Sequence, residues 1–266
     1  MGLEDFKHKK KFGQNFLRNN IIPKRIISAA DIKKDSLVIE IGPGAGIMTK
    51  LLATNPNVKQ VLAYEIDTSL EEILDINLMG LDNIDIIYDD FLNRDIKSDI
   101  KKYKYTNLYV VANLPYYITT PIITKLIEED LNIEKLVIMI QKEVADRYSA
   151  KPNSKDYGSI TVFLNYYFDI KKEFVVSRNC FNPRPNVDSM VISLNKKKHV
   201  YNVKNTDTFF QLVKDSFKFK RKNLRNNLKG YDLDKISNIL AKHSLDLTTR
   251  AEDLPIEVFV DISNNL

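Results

Sequence analysis

The segment Asn113-Leu-Pro-Tyr-Tyr-Ile-Thr-Thr-Pro121 holds residue types that can prepare a weak nucleophile. An exocyclic amine such as N6 of adenine reacts poorly because its lone pair is delocalised into the ring. Two acceptors that hold its protons can draw the nitrogen toward tetrahedral geometry and free that pair. Asn113 Oδ1 and the Leu114 carbonyl are the candidate acceptors. Pro115 would fix the backbone so that the carbonyl points inward, and Tyr116 offers a face for the base. The chemistry that follows is in-line displacement, governed mainly by positioning. No Cys/His or Ser/His arrangement suggests a covalent nucleophile. Taken alone, the tetrapeptide is also an ordinary turn, so its meaning depends on what precedes it.

What precedes it is a ligand loop. Glu40-Ile-Gly-Pro-Gly-Ala-Gly46 follows an apolar run and opens a helical one. Gly42, Gly44 and Gly46 permit a tight turn and close approach of a ligand to the backbone. The spacing is G-x-G-x-G, with Ile47 where a dinucleotide fingerprint needs its third glycine, and no P-loop pattern occurs. Glu65 ends the next apolar run and can accept two hydrogen bonds from a ribose diol. Asp90 follows the third run and can accept from an adenine amine, with Phe91 beside the ring. Glu40, two residues before the first glycine, disfavours a pyrophosphate and suits a cation. S-adenosylmethionine has a ribose, an adenine, an ammonium and a sulfonium, and no phosphate. It fits these positions better than a nicotinamide dinucleotide. Any one of the acids is also an ordinary cap or surface carboxylate; three in register with a glycine loop point to a cofactor.

These residues need a scaffold that brings them to one edge. Apolar, β-branched runs at 37–42, 61–67, 84–88, 108–112 and 135–141 alternate with segments of helical spacing such as 46–54, 68–79 and 119–130. Residues 21–34 also have helical spacing. Continuous apolar strands separated by helices imply a parallel sheet covered on both faces. Two more candidate strands, 160–169 and 187–194, are joined through Pro183 and Pro185 and would add an antiparallel hairpin at the edge. The expected fold class is α/β, a Rossmann-like seven-stranded methyltransferase sheet. Beyond Lys196-Lys-Lys198, helical stretches at 206–217, 220–228, 232–242 and 255–264 predict a small all-helical domain. The organisation expected is a basic arm over 1–20, the sheet domain over 21–197 and the helical domain over 198–266.

Composition narrows the partner. The 266 residues carry a formal net charge of +5, distributed unevenly. Residues 1–25 carry +5, residues 26–170 carry −7, residues 171–229 carry +11 and residues 230–266 carry −4. Basic segments flanking an acidic middle suggest a polyanion, either nucleic acid or a membrane surface. No apolar run is long enough to span a bilayer, and the N-terminus lacks a signal-peptide core. With a single cysteine, Cys180, and three scattered histidines, neither a disulfide framework nor a metal cluster is expected. A cytoplasmic compartment follows as the default.

The combined motifs resemble the ribosomal RNA adenine N6-dimethyltransferases over nearly the whole chain. The resemblance rests on Gly13-Gln-Asn-Phe-Leu17, the 40–46 loop, Glu65-Ile-Asp67, Asp90-Phe-Leu92 and Asn113-Leu-Pro-Tyr116. It continues through Phe181-Asn-Pro-Arg-Pro-Asn-Val-Asp-Ser189, Arg221-Lys-Asn-Leu-Arg-Asn-Asn227 and Arg250-Ala-Glu-Asp-Leu254. It implies that Gln14, Asn15, Leu17, Gly42, Glu65, Asp90 and Asn113 surround S-adenosylmethionine, and that Phe181 opposes Tyr116 across a flipped base. Leu114, Thr120-Pro121 and the 181–189 block resemble the branch that dimethylates two adjacent adenosines in the terminal hairpin of small-subunit rRNA. The alternative is the large-subunit branch that confers macrolide resistance. A non-catalytic assembly or transcription factor would be expected to have an altered Asn-Leu-Pro-Tyr loop. A DNA adenine methylase would be expected to have a target-recognition insert. The target base must leave its stack, and structured RNA is gripped largely through phosphates and shape. The candidate contacts are Lys7, Lys9, Lys10, Lys11 and Arg18 in the arm, and Lys218, Lys220, Arg221, Lys222 and Arg225 on a predicted helix. The expected partner is the small-subunit rRNA or an assembling subunit, engaged by a monomer.

Overall fold

Apolar runs too hydrophobic to leave a face in water build the centre of the molecule. The computed structural model describes residues 15–17, 20–115, 118–198 and 201–266. In chain order these form β1 (Phe16–Leu17), α1 (Ile21–Ala30), β2 (Ser36–Ile41), α2 (Ile47–Ala53), β3 (Val58–Glu65) and α3 (Glu71–Asn77). Next come β4 (Ile84–Tyr88), α4 (Ile96–Ile100), β5 (Asn107–Asn113), α5 (Thr119–Glu128), β6 (Ile133–Gln141) and α6 (Lys142–Tyr148). They are followed by α7 (Ser159–Tyr167), β7 (Phe168–Val176), β8 (Phe181–Asn182), β9 (Ser189–Lys196), α8 (Thr206–Ser216), α9 (Leu224–Asn227), α10 (Leu233–Lys242) and α11 (Ile256–Asn265). Every residue of β2 is buried, as a central strand covered on both faces requires.

The main sheet has seven strands in the order β4-β3-β2-β5-β6-β9-β7. The first five are parallel, and β9 runs antiparallel to β6, pairing Met139 with Val191. The chain steps outward from β2 through β3 to β4, then returns to β5 on the other side. Ligands of open α/β sheets bind at such a reversal, beyond the carboxyl ends of the strands. The register brings those ends level, with Ile41 opposite both Tyr64 and Ala112, and Glu65 opposite Tyr88. A separate two-stranded sheet pairs Leu17 with Phe181 and Phe16 with Asn182.

The described chain divides into two compact units, one through Ala145 plus Lys171–Lys196, the other Asp146–Ile170 plus Lys197–Leu266. The first is cored by α1, α2 and the sheet, including Ile26, Leu52, Val111 and Val137. The second is helical, with a core rich in rings around Tyr166, Phe209 and Phe259. It also takes residues 146–170, which the sequence reading placed in the sheet domain.

Two sequence expectations are corrected. Residues 160–169 are not a strand: α7 occupies Ser159–Tyr167, and the strand begins at Phe168. Its run of β-branched and aromatic residues reads as a strand, but Val162 and Tyr166 are buried one helical turn apart in the helical unit's core. The Thr161 hydroxyl accepts the Gly158 N–H at 3.1 Å and donates to the Arg147 carbonyl at 2.8 Å, fixing the helix start. The predicted helix over 220–228 shrinks to α9, because Asn223 Oδ1 caps it by accepting the Asn226 N–H at 3.2 Å. Lys218, Lys220, Arg221 and Lys222 therefore sit on a turn rather than a helix. Among the described residues no helix is long and apolar enough to cross a membrane.

Candidate active site

The level strand ends put the sequence-derived residues around one cavity. Asn15, Leu17, Glu40, Gly42, Gly44, Glu65, Asp90, Phe91, Asn113, Leu114 and Pro115 all line it. Gln14, Tyr116, Lys9, Lys10, Lys11 and Arg18 lie outside the described residues.

The glycine loop is held by its neighbours. Gly42 donates to the Tyr64 carbonyl at 2.9 Å, and Gly46 to the Pro43 carbonyl at 2.9 Å. Gly44 has φ +59°, and a Cβ there would lie 2.7 Å from Phe16 Cε1. Both the left-handed backbone and the ring exclude a side chain. Glu65, 5% exposed, accepts the Gly44 N–H at 3.1 Å through Oε2 and the Asp67 N–H at 2.9 Å through Oε1. Burial pushes its carboxyl up, and those two amides pull it partly back. The same carboxylate thus braces the loop and faces the cavity.

Glu40 differs from the other acids. It is fully buried, and neither carboxylate oxygen has a hydrogen-bond partner among the described residues. Burial pushes its carboxyl up to about 8, the nearby Thr49 hydroxyl opposes that rise, and the charge of Glu65 adds to it. An unpartnered buried carboxylate is costly, and in a cavity wall it marks a place for a cationic ligand group.

The Asp90 corner is a braced turn. Asp90 Oδ1 accepts the Leu92 N–H at 2.9 Å and starts a single 3-10 turn over Phe91–Asn93. Phe91 meets the edge of the Tyr64 ring at 5.1 Å between centroids. Arg94 ties the corner together, with Nη2 at 2.6 Å and Nε at 3.1 Å from the two Asp99 oxygens and Nη1 at 3.3 Å from Asp89 Oδ2. Asp99 also accepts the Tyr64 hydroxyl at 3.1 Å.

At the opposite side, Asn113 ends β5. Its Nδ2 donates to the Asn15 carbonyl at 3.3 Å, which keeps Oδ1 for another donor. Leu114 N–H donates to the Met139 carbonyl of β6 at 3.2 Å, and the Pro115 carbonyl accepts the Ile118 N–H and the Thr119 hydroxyl, each at 3.3 Å. The backbone of the loop is anchored at both ends before any substrate arrives.

Phe181 lies beside the N-terminal strand β1. It is 1% exposed and packs in the sheet unit's core with Val176 and Val191. It pairs with Leu17 in the small sheet, and the residue it is expected to oppose, Tyr116, lies outside the described residues. Sequence reasoning missed Phe16, whose ring fits against the side-chain-free Gly44, and Arg94. The signal for Phe16 lay in the 13–17 block itself. Nothing in the sequence joins Arg94 to Asp99 and Tyr64. Lys220, Arg221, Lys222 and Arg225 are exposed in the helical unit.

The cavity suits a ligand with a cationic group and an aromatic ring. The buried Glu40 oxygens ask for the first, and Phe91, Ile66 and Leu114 can cover the second. S-adenosylmethionine meets both requirements. The family model described as ribosomal RNA adenine dimethylase matches residues 5–266. A ribosomal RNA small subunit methyltransferase A of Clostridium acetobutylicum is 42% identical, covering 98% of this chain and 95% of that protein. Its counterpart in Bacillus mycoides is 43% identical, over 98% and 92%. Among solved structures, a dimethyladenosine transferase from Plasmodium falciparum superposes with a TM-score of 0.78 at 26% identity, over 93% of this chain and 95% of that one. The 23S rRNA methyltransferase ErmE gives 0.74 at 26%, over 95% and 99%. A match that leaves only the first four residues uncovered settles the family: the chain belongs to the ribosomal RNA adenine dimethylases, which are S-adenosylmethionine-dependent methyltransferases.

Proposed function

We propose that this protein methylates N6 of two adjacent adenosines in the 3′-terminal hairpin of small-subunit (16S) rRNA, giving N6,N6-dimethyladenosine during ribosome biogenesis in the cytoplasm. The observation that carries the reading is the Asn113 amide. Its donor side is committed to the Asn15 carbonyl, which leaves its acceptor side for a substrate, and Asn113 lines the same cavity as Glu40. Asn113 Oδ1 and the Leu114 carbonyl hold the two N6 protons and turn the lone pair out of the ring. Pro115 keeps the carbonyl in place, and Tyr116 stacks on the base. Glu40 holds the ammonium of the cofactor, Glu65 the ribose, and Asp90 with Phe91 the adenine. When bound, S-adenosylmethionine supplies an electrophilic sulfonium methyl. Asn15, Leu17, Gly42 and Gly44 complete the pocket, with Gln14 beside them. The protein acts as a monomer, and Lys9, Lys10, Lys11, Arg18, Lys220, Arg221, Lys222 and Arg225 hold the RNA.

The small-subunit reading is supported by relatives of that name at 42–43% identity over almost the full chain. The test is methylation of unmethylated small ribosomal subunits with labelled cofactor, followed by mapping. Label on two neighbouring adenosines is expected. Label confined to large-subunit rRNA, with macrolide protection of expressing cells, would replace this reading with the other branch.

A further inference from the structure

The helical unit presents an aromatic ring to solvent within its densest run of positive charge. Phe219 is 55% exposed. Lys218, Lys220, Arg221 and Lys222 surround it in sequence, and all are exposed. The side chains of Arg221 and Lys222 form no ion pair with a described residue, while Lys220 Nζ donates to the Lys155 carbonyl at 2.8 Å. Lys218 Nζ lies 5.8 Å from the Phe219 ring centroid.

The exposure is not a failure of the core to accommodate a ring. Phe217, two residues earlier, turns inward and packs 5.9 Å from Phe259 and 6.1 Å from Tyr157. The turn that separates the two rings is built. Asn227 Oδ1 accepts the Phe219 N–H at 3.0 Å. Its Nδ2 lies within reach of the carbonyls of Ser216 at 2.7 Å, Phe219 at 3.3 Å and Lys222 at 3.3 Å. Lys222 N–H closes the turn on the Phe219 carbonyl at 2.9 Å. One side chain therefore braces the loop from its start to its end, and the ring is displayed on a preorganised support.

A solvated lysine face needs no such ring. Cations attract phosphate without regard to sequence, whereas an exposed aromatic face binds an unstacked base, and nucleic-acid grooves combine the two. We propose that Phe219 stacks on an unpaired base of the rRNA substrate while the neighbouring cations engage the phosphates beside it. This rests on the rRNA reading above and adds a base-contacting residue to the helical unit.

The experiment measures binding of the full chain and its variants to unmethylated small ribosomal subunits across a salt series. Phe219→Ala is expected to weaken binding about tenfold or more, with the salt slope unchanged. Phe219→Tyr is expected to bind like the unsubstituted chain, and Phe219→Leu like Phe219→Ala. The Arg221→Gln/Lys222→Gln double variant is expected to bind more weakly and with a shallower slope. Cofactor affinity and the thermal midpoint should stay unchanged in all of them, since the substituted side chains are exposed. Full binding by Phe219→Ala overturns the proposal. So does full binding by Phe219→Leu, which would mean an apolar contact with a ribosomal protein rather than stacking on a base. If the unsubstituted chain neither binds nor methylates these subunits, the rRNA reading fails first and takes the stacking with it.

Discussion

Two regions of this molecule concentrate charge in opposite ways. At the carboxyl ends of β2 and β3, Glu40 and Glu65 are buried, and Glu40 has no hydrogen-bond partner among the described residues. On the 218–222 turn the cations stand in solvent. A buried charge is expensive and short of water, so it discriminates strongly among small ligands. An exposed charge is cheap, screened and nearly additive, so it gives grip without selectivity. The sheet edge has the features that choose one small molecule; on the function proposed, the turn has those that hold a large one. The two regions should therefore respond to substitution on different scales and to different solution variables.

The largest effect is expected at the rim. Asn113→Ala should lower methyl transfer by about a hundredfold or more, the scale seen when a preorganised group aimed at developing charge is removed. Cofactor affinity measured by calorimetry should remain close to that of the unsubstituted chain. Full turnover by the variant would end the acceptor mechanism. Loss of turnover together with loss of cofactor would instead mean that Asn113 acts only through the cofactor pocket it lines.

Next is Glu40→Gln, where stability and binding should move in opposite directions. Burial places the Glu40 carboxyl at about 8 in the ligand-free protein, well above its ordinary value of 4.5. As pH rises through that window the unfolded chain gives up this proton first, so the ligand-free fold loses stability between about pH 4.5 and about pH 8. A cationic ligand favours the ionised form. Affinity for S-adenosylmethionine should therefore climb with pH across the same window, until the ligand's own amino group deprotonates near pH ~8. Glu40→Gln should flatten both slopes, raise the ligand-free thermal midpoint at pH 8 and weaken cofactor binding by about tenfold to a hundredfold. A variant that binds as well as its parent at every pH would remove Glu40 from the ammonium site.

These two residues also show what a sequence can disclose. The sheet was readable because its strands are continuous apolar runs, and the site because β2, β3, β4 and β5 each deliver a distinctive residue at the same end. Strand ends are local, and their alignment follows from a parallel sheet. Residues 160–167 were misread because β-branched and aromatic side chains favour strands unless a long-range packing surface overrides them, and here the core of the helical unit does. The packing of Phe181 is unreadable for a related reason. Its motif fixed the residue type, but burial depends on a two-residue pairing with Leu17, which no local pattern announces. That Glu40 is unpartnered is likewise a property of its surroundings, not of its spacing.

A smaller effect is expected at Gly44. Alanine there must adopt a left-handed backbone, costing about 1–2 kcal/mol, and its Cβ must displace the Phe16 ring. Cofactor affinity should fall about tenfold, by the same energy. Adding Phe16→Ala should recover the steric part but not the backbone part. Full recovery in the double variant would show that φ at this position carries no cost. The double-variant cycle thus separates the two reasons for a glycine that the structure gives together.

The smallest effect tests the comparison at its boundary, because Arg94 is a charge at the sheet edge with its side chain 34% exposed. By burial it should behave like the cations on the turn. By connection it should behave like the cavity, since it joins Asp89 and Asp99 and, through Asp99, the Tyr64 hydroxyl behind Phe91. Partly exposed ion pairs contribute about 0–1 kcal/mol each, so Arg94→Ala should raise the KM for S-adenosylmethionine by about two- to fivefold and leave kcat in place. Arg94→Lys keeps the charge but loses the two-pronged grip on Asp99, and should fall between the parent and the alanine variant. Salt decides between the two readings. If the contribution is mainly screened charge, the difference between the parent and Arg94→Ala disappears at high ionic strength. If the guanidinium acts by holding the Asp90–Phe91 turn in shape, the KM difference persists in salt, because geometry is not screened. Persistence is the expected result, since Asp99, the partner held from two guanidinium nitrogens, is only 10% exposed at its side chain.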